Sequence, residues 1–277
     1  MTGPEYGYPP SGGTAPARRR RWRLAAVAGG WAVLLLAGVF WSVEKDPATV
    51  PEQRDIGQAA PEVRRATGAL VAAAQDERWV VRLGAFRLED CSLNPVWKGR
   101  RAGRDVTLYV PEGEARAALE GIAERLPEGY GAGVGAARGG TRLSFYADAG
   151  ELIAIDAEAL STDQVLTVRV DSGCRPPTGT VDEDDPDPGA VPEMVAKLGA
   201  EPDVYSVTCP DGGTAATFEV DGGPAAPDGG ANGLPEGTTP VWSEPGGWAY
   251  RMGSNSVVTT TEGGRLTVSL TTPCGGQ

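Results

Sequence analysis

Between Leu24 and Val43 the chain runs for 20 residues without a charged side chain, LAAVAGGWAVLLLAGVFWSV. A helix of that length rises about 30 Å, the thickness of a bilayer's hydrocarbon core. No other stretch restricts the fold so strongly, because such a helix satisfies its own backbone polar groups and can give its side chains to lipid. The residues just before it are basic: Arg18, Arg19, Arg20, Arg21 and Arg23, with Trp22 among them. Those just after it, Glu44, Lys45 and Asp46, carry no positive excess. Flanking arginines stay on the cytoplasmic side, and aromatic rings settle at the two interfaces, here Trp22 at one border and Phe40 and Trp41 at the other. The pattern predicts a single-pass signal-anchor in the cell membrane, with a cytoplasmic amino terminus and an extracytoplasmic carboxyl terminus.

A cleaved signal peptide and a twin-arginine export signal are the rival readings. The run is longer than the usual ~7–15-residue core of a signal peptide, and no small-x-small site ends it. Both rivals also place the bulk of the chain outside. Ala26 and Gly30 form a small-xxx-small pair of the kind that brings membrane helices together, though such pairs are common.

Charge divides the chain at the same point. Residues 1–23 hold five Arg and one Glu, so they carry +4 of a formal total of −12 and leave −16 for the remainder. That acidity opposes nucleic-acid binding and suits a solvated extracytoplasmic body. Arginine far outnumbers lysine, and 40 Gly and 23 Pro fit the bias of a GC-rich bacterial proteome. Histidine is absent from the sequence. This removes Ser-His-Asp and Cys-His catalysis and most zinc sites.

Residues 1–23 read as a disordered cytoplasmic tail, 24–43 as the transmembrane helix and 44–60 as a juxtamembrane spacer with Pro47 and Pro51. From Pro61 the pattern is folded. A helix is predicted over Pro61–Arg78, a strand over Trp79–Asp90 ending at Cys91, a strand over Asp105–Val110 and an amphipathic helix over Glu112–Leu126. A glycine-rich loop covers Tyr130–Gly140. Three strands follow, Thr141–Ala147, Glu151–Ala157 and Gln164–Asp171, and the last leads to Cys174. Residues 175–190 are rich in proline and acid and read as a linker. The order then restarts over 191–277: a short helix at Val191–Leu198, strands at Asp203–Thr208 and Thr214–Val220 around Cys209, and a Gly/Pro loop over 221–239. Strands at Gly247–Met252, Ser256–Thr261 and Arg265–Thr272 end at Cys274.

The segments LTVRVDSGC at 166–174 and LTVSLTTPC at 266–274 match in pattern and in their terminal cysteine. The fold class predicted is therefore α+β: a transmembrane helix, then a tandem duplication of a small, mainly antiparallel-sheet unit with one or two helices. The units are 61–174 and 191–277, each closed by a disulfide. Four cysteines allow three pairings. The duplication selects Cys91–Cys174 and Cys209–Cys274, joining the ends of the first and last strands of each unit if those strands are sheet neighbours. Loops of this length are worth about 4–5 kcal/mol in the chain-entropy account.

Chemistry is thinly marked. The acids Asp182, Glu183, Asp184, Asp185 and Asp187 resemble a calcium cluster but lack the glycine and downstream glutamate of an EF-hand. Residues 131–136 match a dinucleotide fingerprint, with a helix before and a strand after, the reverse of what that fingerprint needs. Glu89, Asp90 and Asp148 lie near strand ends, where a pair of carboxylates would serve glycoside hydrolysis. Trp97 and Trp242 follow Pro-Val on predicted loops and are the candidates for a joint binding patch. No catalytic residue, metal ligand or cofactor is assigned, and no oligomeric state. The function expected is an extracytoplasmic, non-catalytic interaction or accessory module with the membrane as one partner and an envelope protein or wall component as another. The alternatives are a carboxylate-dependent glycan hydrolase and a calcium-responsive module.

Overall fold

Strict alternation of apolar and polar residues builds most of the folded part. In strand β5 (Arg142–Asp148), Leu143, Phe145 and Ala147 are buried while Arg142, Ser144 and Tyr146 face out. Strands β6 (Ala154–Leu160) and β7 (Val165–Asp171) repeat the pattern with Ile155, Ala157, Ala159 and with Leu166, Val168, Val170. A period of two puts each set on one sheet face. The computed structural model describes residues 22, 26–38, 54–224 and 240–275. It divides into two compact units, Met1–Pro51 and Glu52–Gln277.

In the first unit, residue 22 and residues 26–38 are helical; the latter form α1. Val33, Leu34, Leu35 and Leu36 are exposed. Among the described residues no helix is long and apolar enough to cross a membrane. Residues 24, 25 and 39–43 of the predicted span lie outside the described residues, as do Arg18, Arg19, Arg20, Arg21, Arg23 and Trp41. Trp22 is exposed.

The second unit is α+β and contains two antiparallel sheets. The first has the order β1-β3-β7-β6-β5-β4, with β2 also paired to β3. Its remaining strands are β1 (Val80–Leu83), β2 (Arg87–Ser92), β3 (Lys98–Tyr109) and β4 (Gly133–Ala137). Helices α2 (Ile56–Ala74) and α3 (Ala115–Arg125) contribute to its core. The second sheet has the order β8-β9-β13-β12-β11-β10, from β8 (Asp203–Thr208), β9 (Thr214–Pro224), β10 (Trp242–Glu244), β11 (Gly247–Met252), β12 (Asn255–Glu262) and β13 (Arg265–Thr271). Short helix α4 (Glu193–Ala196) places Val195 in the core of this sheet. With the β2 hairpin set aside, the two orders are identical strand for strand. The duplicated architecture is present, and α3 stands where the second copy has residues 225–239, which lie outside the described residues.

Several boundaries differ from those predicted. Helix α2 begins at Ile56 rather than Pro61, because Asp55 is the N-cap and accepts the Gln58 N–H at 3.0 Å. Ile56 and Gly57 donate their amides to the carbonyls of Pro176 and Thr178, which completes the helix start. Residues 54–60 thus belong to the folded body, and Pro61 sits inside the helix. The predicted strand 79–90 is broken at residues 84–86 into β1 and β2. The glycine-rich loop contains β4, an edge strand paired along its length with β5. Trp242 lies on a strand and not on a loop.

Both disulfides pair within a copy, Cys91–Cys174 and Cys209–Cys274. The first and last strands of each copy point the same way but are not neighbours: β3 lies between β1 and β7, and β9 between β8 and β13. Cys91 is in register with Gly99 of β3, and a Cβ at Gly99 would come within 2.7 Å of the Cys174 sulfur. The bridge therefore crosses over β3 at a position that only glycine accommodates.

The two copies meet edge on face. The outer amides of β1 at Val81 and Leu83 donate to the hydroxyls of Ser256 and Thr217, each at 3.0 Å. Val80 and Tyr109 pack with Trp242, Ala249 and Val258 beside them. Exposed sheet edges attract foreign strands, and here one edge is used to join the copies.

Candidate functional site

A cleft of about 730 Å³ opens where α2 passes the second copy. One wall is α2, with Ala60, Pro61 and Ala69. The opposite wall is the end of β8, with Val207 and Thr208, leading to Pro210. Pro127 and Tyr130 close one side, and Thr180, Val181 and Asp182 close another. Pro61 has no N–H to give the Gly57 carbonyl, so the helix is loosened where it borders the cleft.

The segment 175–190, predicted to be a linker, is built into this wall. Arg104 on β3 is fully buried and grips it. Its Nη2 donates to Asp185 at 2.7 Å, its Nη1 to the Ser206 carbonyl at 2.9 Å and its Nε to the Gly84 carbonyl at 2.7 Å. Asp185 also accepts the Ser206 amide at 2.9 Å. Burial lowers the Arg104 pKa, and the hydrogen bonds and charge of Asp185 oppose that shift. A buried charge is tolerated when it is paired and fully bonded, and this one ties β1, the acidic segment and β8 to a single point.

Arg64 differs from its neighbours. It lines the cleft from α2, and its guanidinium lies over the Phe86 ring at 4.5 Å. Its Nε and Nη2 are buried and have no hydrogen-bond partner among the described residues. Arg65, one residue on, is paired with Glu62. Leaving a buried donor unmade costs about 1–3 kcal/mol, more for a charged group. The cation–π contact recovers part of that. The one carboxylate lining the cleft, Asp182, accepts the amide of Asp184 at 3.1 Å. Burial raises the pKa of the Tyr130 phenol; the charge of Arg65 opposes the shift and that of Glu62 adds to it.

The side chains singled out by sequence are placed elsewhere. Trp97 is half-exposed beside Val96 at the tip of the β2–β3 hairpin, where Asn94 Oδ1 accepts both of their amides. Trp242 is buried between the sheets, 5.0 Å from the ring of Tyr109. The two tryptophans do not form one patch: Trp242 turns inward because β10 pairs with β11 and its ring fills the seam between the copies. Asp185 also turns inward, to Arg104, while Asp182 and Asp187 cap their own turns. The acidic run therefore does not converge, and no group of three metal-binding side chains occurs among the described residues. Glu89 and Asp90 are exposed on β2, and Asp148 accepts the Gly150 amide in a turn. Arg64 belongs to no motif. Its signal in the sequence is positional: Ala60, Gly68 and Val71, at i−4, i+4 and i+7, are all buried, so the cation stands on the apolar face of its helix.

No protein-family model matches the chain, and no curated protein matches it in sequence. Among solved structures it is similar to a DUF4853 family protein from Actinomyces odontolyticus, at 16% identity and a TM-score of 0.34, over 58% of this chain and 89% of that one. A likeness that slight carries no argument about fold or function.

Proposed function

We propose that the chain is a single-pass envelope protein whose folded body stands outside the cell membrane and binds a small ligand in the cleft without transforming it. The observation that carries this reading is the cleft itself: a concave, mostly apolar site with few polar groups, built at a junction of two structural copies, where binding sites commonly lie. Its lining supplies one carboxylate, Asp182, where glycoside hydrolysis uses two. The extracytoplasmic placement draws support from the basic flank and uncharged run in the sequence, from the exposed apolar side chains of α1, and from two disulfides, which persist in oxidising compartments. The interaction module expected from the sequence thus becomes a ligand-binding one.

Native mass spectrometry of the full chain, released from the membrane of its own cells, tests the reading. A bound small molecule is expected on the wild type and is expected to be lost from Val181→Trp, which fills the cleft from its accessible wall. An adduct retained by that variant, or none on either protein, contradicts the assignment of the cleft.

A further inference from the structure

We infer that the cleft takes a small amphipathic monocarboxylate, its head on the Arg64 guanidinium and its apolar body between α2 and β8; this rests on the cleft being the binding site. The cleft contains an uncompensated positive charge. Among the described residues, Arg64 has no ion pair, whereas the nearby Arg65 and Arg104 are paired to Glu62 and Asp185. The planar guanidinium, held over Phe86, is a delocalised and permanently charged cation that a carboxylate head would neutralise. Desolvated surroundings strengthen such a pair relative to water. Nε and Nη2 are buried and unpartnered among the described residues, so a carboxylate head meets this cation through its charge rather than through those two donors.

The rest of the lining sets the ligand's other properties. Ala60, Pro61, Ala69, Val181 and Val207 offer an apolar path, and the second cation of the lining, Arg65, is already paired to Glu62, so one end of the ligand is charged and the body is not. Asp182 on the acidic segment repels a second negative group, which favours a monoanion over a phosphate monoester or dicarboxylate. A free acid and a carboxylate carried on a larger amphiphile share this chemistry.

The probes are 4-phenylbutyrate and 4-phenylbutanol, which share a body and differ in the head. Both are soluble enough to titrate against the full chain in lipid nanodiscs, with empty nanodiscs as reference. Saturable binding of the carboxylate is expected, with the alcohol about tenfold weaker or more. Arg64→Met keeps the stem but removes the charge, and is expected to weaken the carboxylate alone until the two probes bind alike. Arg64→Lys is expected to keep part of the preference, which separates loss of charge from loss of fold. Equal binding of both probes to the wild type, abolished by Val181→Trp, overturns the inference and leaves the cleft reading standing. Failure of both probes to bind overturns the inference, and the adduct in the native mass spectrum then decides the cleft reading separately. Phenyl phosphate binding more tightly than 4-phenylbutyrate also overturns it.

Discussion

Asp76 illustrates how one carboxylate can fasten two elements. Burial alone would raise its pKa. Hydrogen bonds from the Arg78 side chain and amide and from Arg125 more than offset that and lower it from 3.8 to about 2. Arg125 reaches on to the Ala73 carbonyl at 2.7 Å, so the carboxyl end of α2 is capped from α3. Trp79, fully buried, donates its indole N–H to the Ala74 carbonyl and lies under both guanidinium groups. A carboxylate with a depressed folded pKa stabilises above its unfolded pKa, and that contribution is lost as pH falls through the folded value. Asp76→Asn is therefore expected to cost about 1 kcal/mol at pH 7, after discounting for solvent screening. Denaturant melts of the two proteins should converge between pH 4 and pH 2. A gap that stays constant over that range would remove the electrostatic explanation. Arg64 and Asp76 lie on the same chain segment and play opposite parts: one charge is fully engaged and the other is left for a partner.

At the scale of elements, α2 is the piece against which both copies are assembled. Gly68 costs this helix about 1 kcal/mol in propensity relative to alanine. It is nevertheless required there, because a Cβ would fall 2.0 Å from the Thr208 carbonyl oxygen of β8, a backbone atom that cannot step aside alone. Gly68→Ala is accordingly expected to destabilise the fold by about 2–4 kcal/mol, read as a lowered denaturation midpoint, although alanine is the better helix former. Stabilisation by that change would show that α2 and β8 do not touch. The elements legible in the sequence are those whose local pattern agrees with their surroundings: β5 and β7 alternate cleanly, and β11 and the Leu-Thr-Val pair on β7 and β13 fall where expected. Strand β6, expected over 151–157, runs over 154–160 because positive φ at Gly150, Glu151 and Leu152 turns the chain there. Strand β4 was hidden by its glycines, which an edge strand tolerates and a propensity reading takes for a loop. The start of α2 was hidden by Pro61, which resembles a first-turn residue but sits further in. The hydroxyls of Thr217, Ser256, Ser269 and Thr271 resemble a solvent face, yet all are buried where β1 docks, and nothing local distinguishes the two cases.

Across the whole molecule, duplication explains more than any single site. Two identical strand orders, two disulfides crossing over equivalent central strands, and one edge-on-face seam follow from a unit copied and then packed against itself. The cleft is a consequence of that packing, since its walls come from α2 of the first copy, the connecting acidic segment and β8 of the second. This is why the candidate site was not legible in the sequence: Arg64, Val181 and Val207 are far apart along the chain and share no motif. The bridges were legible because repetition reduced three possible pairings to one. Their oxidation state in cells tests the proposed location, for a chain left in the cytosol would hold its thiols reduced. Non-reducing peptide mapping of the full chain taken directly from cell membranes under thiol-blocking conditions tests architecture and compartment together. Linked peptides containing Cys91 with Cys174 and Cys209 with Cys274, and no blocked thiol, are predicted; cross-copy pairs such as Cys91 with Cys209, or four blocked free cysteines, would contradict the account.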